Sequence, residues 1–112
     1  MASPIQAIVN AQLANSAGIL FTSPGGIWTQ IISLTCVNAD SSTHQVTFHL
    51  VPSGGSPITA NKSTILQALL PNQTWNSPNE YGKVLNPGDT LQGFADAASF
   101  VNIFVSAILA SS

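Results

Sequence analysis

Charge is what this chain has least of. Only 5% of its 112 residues are Asp, Glu, Lys or Arg, where soluble proteins average about 25%. The charged residues are Asp40, Lys62, Glu80, Lys83, Asp89 and Asp96, and they stand singly along the chain. Asn, Gln, Ser and Thr supply the remaining polarity. Such a surface hydrogen-bonds well but repels copies of itself weakly, which suits a subunit that is packed against other subunits. The formal net charge of −2 provides neither the basic footprint of a nucleic-acid binder nor a polybasic patch for anionic lipid. Neither a nucleic-acid nor a membrane partner is expected.

Cysteine is almost as scarce. A lone Cys36 excludes an intramolecular disulfide and gives no sign of an oxidising compartment. The opening residues Met1, Ala2, Ser3 and Pro4 lack the basic stretch and apolar run of a signal peptide. The most apolar segment, residues 100–110, is interrupted by Asn102 and Ser106 and is too short to cross a bilayer. Synthesis in a cytoplasm without export is the expectation. The glycosylation-type triplets at Asn61 and Asn72 arise easily by chance in so Asn/Ser/Thr-rich a chain.

What is present is a β-rich pattern. Hydrophobic residues make up 45% of the chain, enough for one domain with a single modest core. Turn signals recur at residues 23–26, 51–57, 71–72, 77–79 and 86–89, where Pro sets φ and Gly or Asn accepts positive φ. Between them lie strand-sized runs rich in β-branched and aromatic residues. Residues 31–37 alternate, with Ile32, Leu34 and Cys36 on one face. Residues 44–51 place Val46, Phe48 and Leu50 opposite Gln45, Thr47 and His49. Residues 101–109 place Val101, Ile103, Val105, Ala107 and Leu109 together, with so much apolar character on the other face that a central strand is expected. Weaker strands are expected at 18–22, 63–69, 82–85 and 90–94. In the segment 62–70, Ile65, Leu66, Leu69 and Leu70 also fit one helical turn, which Pro71 ends too early for a stable helix.

These runs predict an all-β fold: a single β-sandwich of about seven or eight short strands with jelly-roll or Greek-key wiring, over residues 17–112. Residues 1–16, with Ile5, Ile8, Val9 and Leu13, could form a short amphipathic helix or an extended arm. An N-terminal arm that orders against a neighbour is favoured because no cap frames a helix, with a frayed tail as the alternative.

Candidate chemistry is sparse. His44 and His49 are five residues apart and face opposite sides of a regular strand, so they cannot share a metal without a bulge. No Cys or carboxylate stands at a ligand-like spacing, so His44 reads as a turn histidine and His49 as a strand histidine facing solvent or an interface. Cys36 continues an apolar alternation and reads as a small core residue. Asp40 and Asp89 sit in turns that Asp commonly caps through its own side chain, and Glu80 and Asp96 have no acidic neighbour in sequence. No catalytic residue, cofactor or metal is expected. Trp28, Trp75 and Tyr81 lie near turns, where aromatic rings anchor protein interfaces or stack on sugars.

The run 28–38, the turn and strand 44–55 ending Leu50-Val51-Pro52-Ser53-Gly54-Gly55, and the later pieces 69–74, 84–92 and 97–103 together resemble the small all-β structural proteins of tailed bacteriophages. The resemblance covers residues 18–110. It implies a non-enzymatic virion protein, a capsid cement or decoration subunit that binds and stabilises the major capsid lattice, with a neck, tail or fibre component as the alternative. It also implies other virion proteins as partners and a homo-oligomer, a trimer being favoured. The interface residues expected are Ile5, Ile8, Val9, Leu13, Trp28 and Trp75. A carbohydrate-binding sandwich using the loop aromatics is the reading from a different class.

Overall fold

A computed structural model describes residues 4–111 and folds them into nine β-strands and one short 3-10 turn, with no α-helix among the described residues. The strands are β1 (Ile5–Gln12), β2 (Gly18–Thr22), β3 (Ile27–Asn38), β4 (His44–Val51), β5 (Lys62–Leu69), β6 (Thr74–Asn76), β7 (Val84–Leu85), β8 (Thr90–Ala95) and β9 (Val101–Ser111). They form two sheets. The first runs β1-β9-β3-β6, with β7 also on the free edge of β3; the second runs β2-β8-β4-β5. Every pairing is antiparallel. Val9, Leu34, Phe48, Leu69, Leu91 and Ile103 belong to one buried core, as expected of two sheets that each bury one face.

The central position of β9 follows from its composition. Val101, Ile103, Val105 and Ala107 are fully buried on the inner side, while β1 and β3 flank the strand. Strand β3 departs from simple alternation. Ile31 pairs with Ala107 and Ser33 with Ser106, so Ile32 is the extra residue of a β-bulge. The bulge resets the phase: Thr29 and Ile31 are buried before it, and Leu34, Cys36 and Asn38 after it. Ile32, expected to share a face with Leu34 and Cys36, is instead half-buried at the bulge.

A second bulge explains the ambiguous segment 62–70. Thr47 of β4 is opposed by both Ile65 and Leu66, because Val46 pairs with Gln67 and Phe48 with Thr64. Leu66 takes a positive φ of 47°, and its N–H donates to Thr47 Oγ1 at 3.1 Å. Both side chains consequently point to solvent and only Leu69 joins the core. The segment is a strand whose period is broken once.

The expected N-terminal arm is not separate from the sandwich. Residues 1–3 lie outside the described residues, as does residue 112, but Ile5–Gln12 is the edge strand β1, paired with β9. Val9 is 6% and Leu13 1% exposed. Leu13 N donates to the Val101 carbonyl at 2.9 Å and Ala95 N to the Ala14 carbonyl at 2.8 Å. Burial of two aliphatic side chains and closure of the backbone ladder outweigh the missing turn signal. The boundary expected at residue 17 therefore falls inside one continuous sandwich.

Gly93 of β8 marks the closest approach in the core. A Cβ at this position would press into the Phe48 ring and lie 3.1 Å from the Thr47 carbonyl oxygen. Gly93→Ala is expected to lower stability by about 1–3 kcal/mol, read as a reduced urea midpoint at unchanged m-value; an unchanged midpoint would contradict this packing.

Candidate functional site

Three surfaces carry the polar or exposed apolar side chains that a function would use. The first is the outer face of the β1-β9-β3-β6 sheet. Its cross-strand rows read Ile5, Ile108, Gln30 and Val84; Trp28 and Ala110; and Asn10, Phe104, Thr35 and Asn76. No charged residue stands in these rows. Ile5, Trp28, Val84 and Phe104 are 60%, 43%, 48% and 41% exposed, so large apolar side chains share this one sheet face without a charge beside them. Of the expected interface residues, Ile5 and Trp28 lie here. Val9 and Leu13 are buried in the core, and Ile8 and Trp75 are partly buried against it. Trp75 pairs with Cys36 across β6 and β3, which turns its ring inward.

The second surface is the end of the sandwich where the β3–β4 and β8–β9 loops meet. Asn38 organises it: its Nδ2 donates to the carbonyls of Ser42, Leu69 and Leu70, and its Oδ1 accepts the Asp40 N–H. This brings Asp40 and Asp96 to opposite sides of His44. His44 Nε2 meets Asp40 Oδ2 and Nδ1 meets Asp96 Oδ1, each at 2.7 Å, and Phe100 stacks on the ring at 5.0 Å. Hydrogen bonds to Asp40 and then Asp96 push the His44 pKa up. The bond from His44, helped by the Ser41 N–H, holds Asp40 below its ordinary value. His44 is thus a clamp between two loops, where a simple turn histidine was expected.

The third surface is a cleft of about 720 Å3 on the β5 edge. It is built by the excursion between β6 and β7. Those two strands pair with residues 35–37 and 29–30 of β3 and leave residues 77–83 to loop outward opposite the Ile32 bulge. A turn over residues 80–83 closes with Lys83 N donating to the Glu80 carbonyl at 3.1 Å. Gly82 at φ +78° supplies its left-handed position. Two further bonds fix the turn to β3: Gly82 N to the Ile31 carbonyl at 2.7 Å and Ile31 N to the Lys83 carbonyl at 2.9 Å.

Glu80 points inward from that turn and is fully buried. Its oxygens accept the hydroxyls of Thr64, at 2.7 Å, and Ser77, so one carboxylate ties the excursion to β5 across the open edge of the sandwich. Asn79 Nδ2 donates to Thr64 Oγ1 at 3.1 Å. The same turn leaves Tyr81 65% exposed, and Lys83 stands beside Lys62 in the cleft lining. Tyr81 was legible as a loop aromatic; the pairing of the two lysines was not.

The remaining candidates are structural. His49 was expected to face solvent or an interface; it is 3% exposed, beside Phe94, with Nδ1 and Asn61 Oδ1 2.8 Å apart. That oxygen also accepts the Ile58 N–H, so His49 Nδ1 is the donor. The Asn61 Nδ2 in turn donates to the Ser56 carbonyl. Asp89 caps its turn by accepting the N–H groups of Asn86 and Ser53. Among the described residues no group of three His, Cys, Asp or Glu side chains is arranged to hold a metal ion, and no helix is long and apolar enough to cross a membrane.

Compared with known protein families, with curated proteins and with solved structures, the chain matches none of them.

Two predictions follow from this chemistry. The stability contributed by protonated His44 is complete below its ordinary pKa of 6.5 and is lost as pH rises through the raised value; that from Asp40 is present above its ordinary 3.8 and is lost as pH falls through the lowered value. Thermal scans should show Tm falling on the alkaline side, with the fall flattened in His44→Gln; parallel profiles would refute the clamp. Burial, with the Glu80 carboxylate adding to it, pushes the Cys36 thiol up to about 12. Native protein at pH 8 should therefore resist a thiol reagent that labels it fully in denaturant.

Proposed function

We propose that this chain is a non-enzymatic structural subunit of a bacteriophage virion, a cement or decoration protein that docks on the major capsid lattice. The observation that carries this reading is the uncharged outer face of the β1-β9-β3-β6 sheet, with Ile5, Trp28, Val84 and Phe104 exposed on it. Such a face has little charge to desolvate and large side chains to bury, the composition of an interface centre. The docking contacts lie on this face, with Ile5 contributing from β1.

The strand order supports the same reading. When β6 and β7 count as one broken strand, the two sheets read 1-8-3-6 and 2-7-4-5 in chain order. We read this as the double Greek-key wiring of a jelly roll, a fold of viral capsid and lectin domains. The titratable side chains support a structural role, because His44, Glu80 and Asp89 are each held by bonds that tie loops or edges together. The setting on a neck, tail or fibre shares the same face and differs in copy number.

Quantifying the chain in purified virions tests the assignment. Copies on the order of hundreds are expected for a head lattice, about six or twelve would place it at the neck or tail, and absence from the particle would overturn the reading. Trp28→Ser combined with Phe104→Ser should weaken particle binding by about 30-fold or more, equivalent to about 2 kcal/mol, without unfolding the sandwich. Undiminished binding would remove this face as the docking surface. Light scattering over a dilution series should give a concentration-independent oligomer, a trimer being favoured; a monomer would confine assembly to the particle.

A further inference from the structure

We propose that the cleft on the β5 edge binds an acidic saccharide, with Lys62 and Lys83 taking its carboxylate and Tyr81 taking the apolar face of a sugar ring. The chain has only two cationic residues, counting Lys and Arg, and the fold brings both to this one cleft from positions 21 residues apart. Neither lysine forms an ion pair with a described residue: among the described residues the carboxylate–cation contacts are those of His44. Glu80, on the same turn as Lys83, has both oxygens occupied by the Ser77 and Thr64 hydroxyls and is fully buried. Both lysines thus line the cleft with no carboxylate ion-pair partner among the described residues.

The rest of the lining selects the kind of anion. Tyr81 is exposed at the tip of a turn held by two backbone bonds to β3, so its ring is presented on a rigid support. Aromatic faces of this kind stack on the C–H surface of a pyranose. Asn79 has one amide hydrogen committed to Thr64, and its Oδ1 accepts no hydrogen bond from a described residue. Asn61 is locked by three bonds and holds the cleft wall in place. A volume of about 720 Å3 accommodates a sugar unit or two, and a bare inorganic anion would use neither the aromatic ring nor the amide. An extended polyanion such as nucleic acid is disfavoured by the net charge of −2.

The cleft borders the uncharged sheet face, since Lys83 precedes Val84 and Gln30 Nε2 donates to the Gly82 carbonyl at 3.5 Å. Its binding is read on the isolated chain and stands whether or not that face docks on a capsid. Its test is calorimetric titration of the intact chain with three probes: an oligosaccharide of glucuronic acid, its methyl ester, and inorganic phosphate. The acid should bind about tenfold more tightly than the ester, which keeps the rings and removes the charge. Lys62→Gln and Lys83→Gln should each weaken the acid about three- to fivefold, and Tyr81→Ala about fivefold for acid and ester alike. Unchanged near-ultraviolet circular dichroism would show that the variants remain folded. Equal binding of acid and ester, no effect of either lysine variant, phosphate binding as tightly as the saccharide, or no binding of the acid would each overturn the proposal.

Discussion

The pairing of β3 with β9, and the single extra residue it contains, governs most of this molecule. The ladder runs from Ile27 opposite Ser111 to Asn38 opposite Val101, the whole length of the first sheet. At Ile32 the bulge reverses the phase of β3, so both of its halves turn apolar side chains inward. At the same point the opposite edge of β3 is occupied by no regular strand. The chain between β6 and β7 leaves the sheet there, and Ile31 bonds to Gly82 and Lys83 instead. One irregularity thus permits a continuous core and sets the position of the excursion that reaches the second sheet.

That excursion closes the sandwich with a buried carboxylate where an apolar plug would also have served. A polar group away from water is costly unless it is hydrogen-bonded, and Glu80 is satisfied by two hydroxyls, from Ser77 on its own loop and Thr64 on β5. No buried side-chain nitrogen or oxygen lacks a partner among the described residues. The polar groups in this low-charge chain therefore act as directional fasteners. Glu80 works between sheets, Asn38 and His44 at one end, and Asp89 at the other.

Charge is also segregated by the fold. Asp40 and Asp96 converge on His44 at one end, both lysines converge on the β5 edge, and the broad face of the first sheet carries none. Spread singly along the sequence, the same residues look like scattered surface polarity. Brought together, they divide the surface into a sheet face without charge and a small cleft lined by both lysines.

The sequence alone determined the all-β class, the turn positions, the central place of β9 and the core roles of Leu34, Cys36, Val46 and Phe48, because alternation and turn chemistry are local properties of the chain. It did not determine what depends on strands meeting across the sheets. The bulges at Ile32 and Leu66 follow from the register of β3 on β9 and of β5 on β4, and each makes a two-residue period read wrongly. The residues expected to form an arm became β1 because β9 offered a free edge and the core had room for Val9 and Leu13, neither of which is visible from residues 1–16. His49 looked exposed until its packing beside Phe94 and Asn61 was known. The Asp40–His44–Asp96 clamp and the lysine cleft join residues up to 52 positions apart, and only tertiary structure brings such groups within hydrogen-bonding or binding distance.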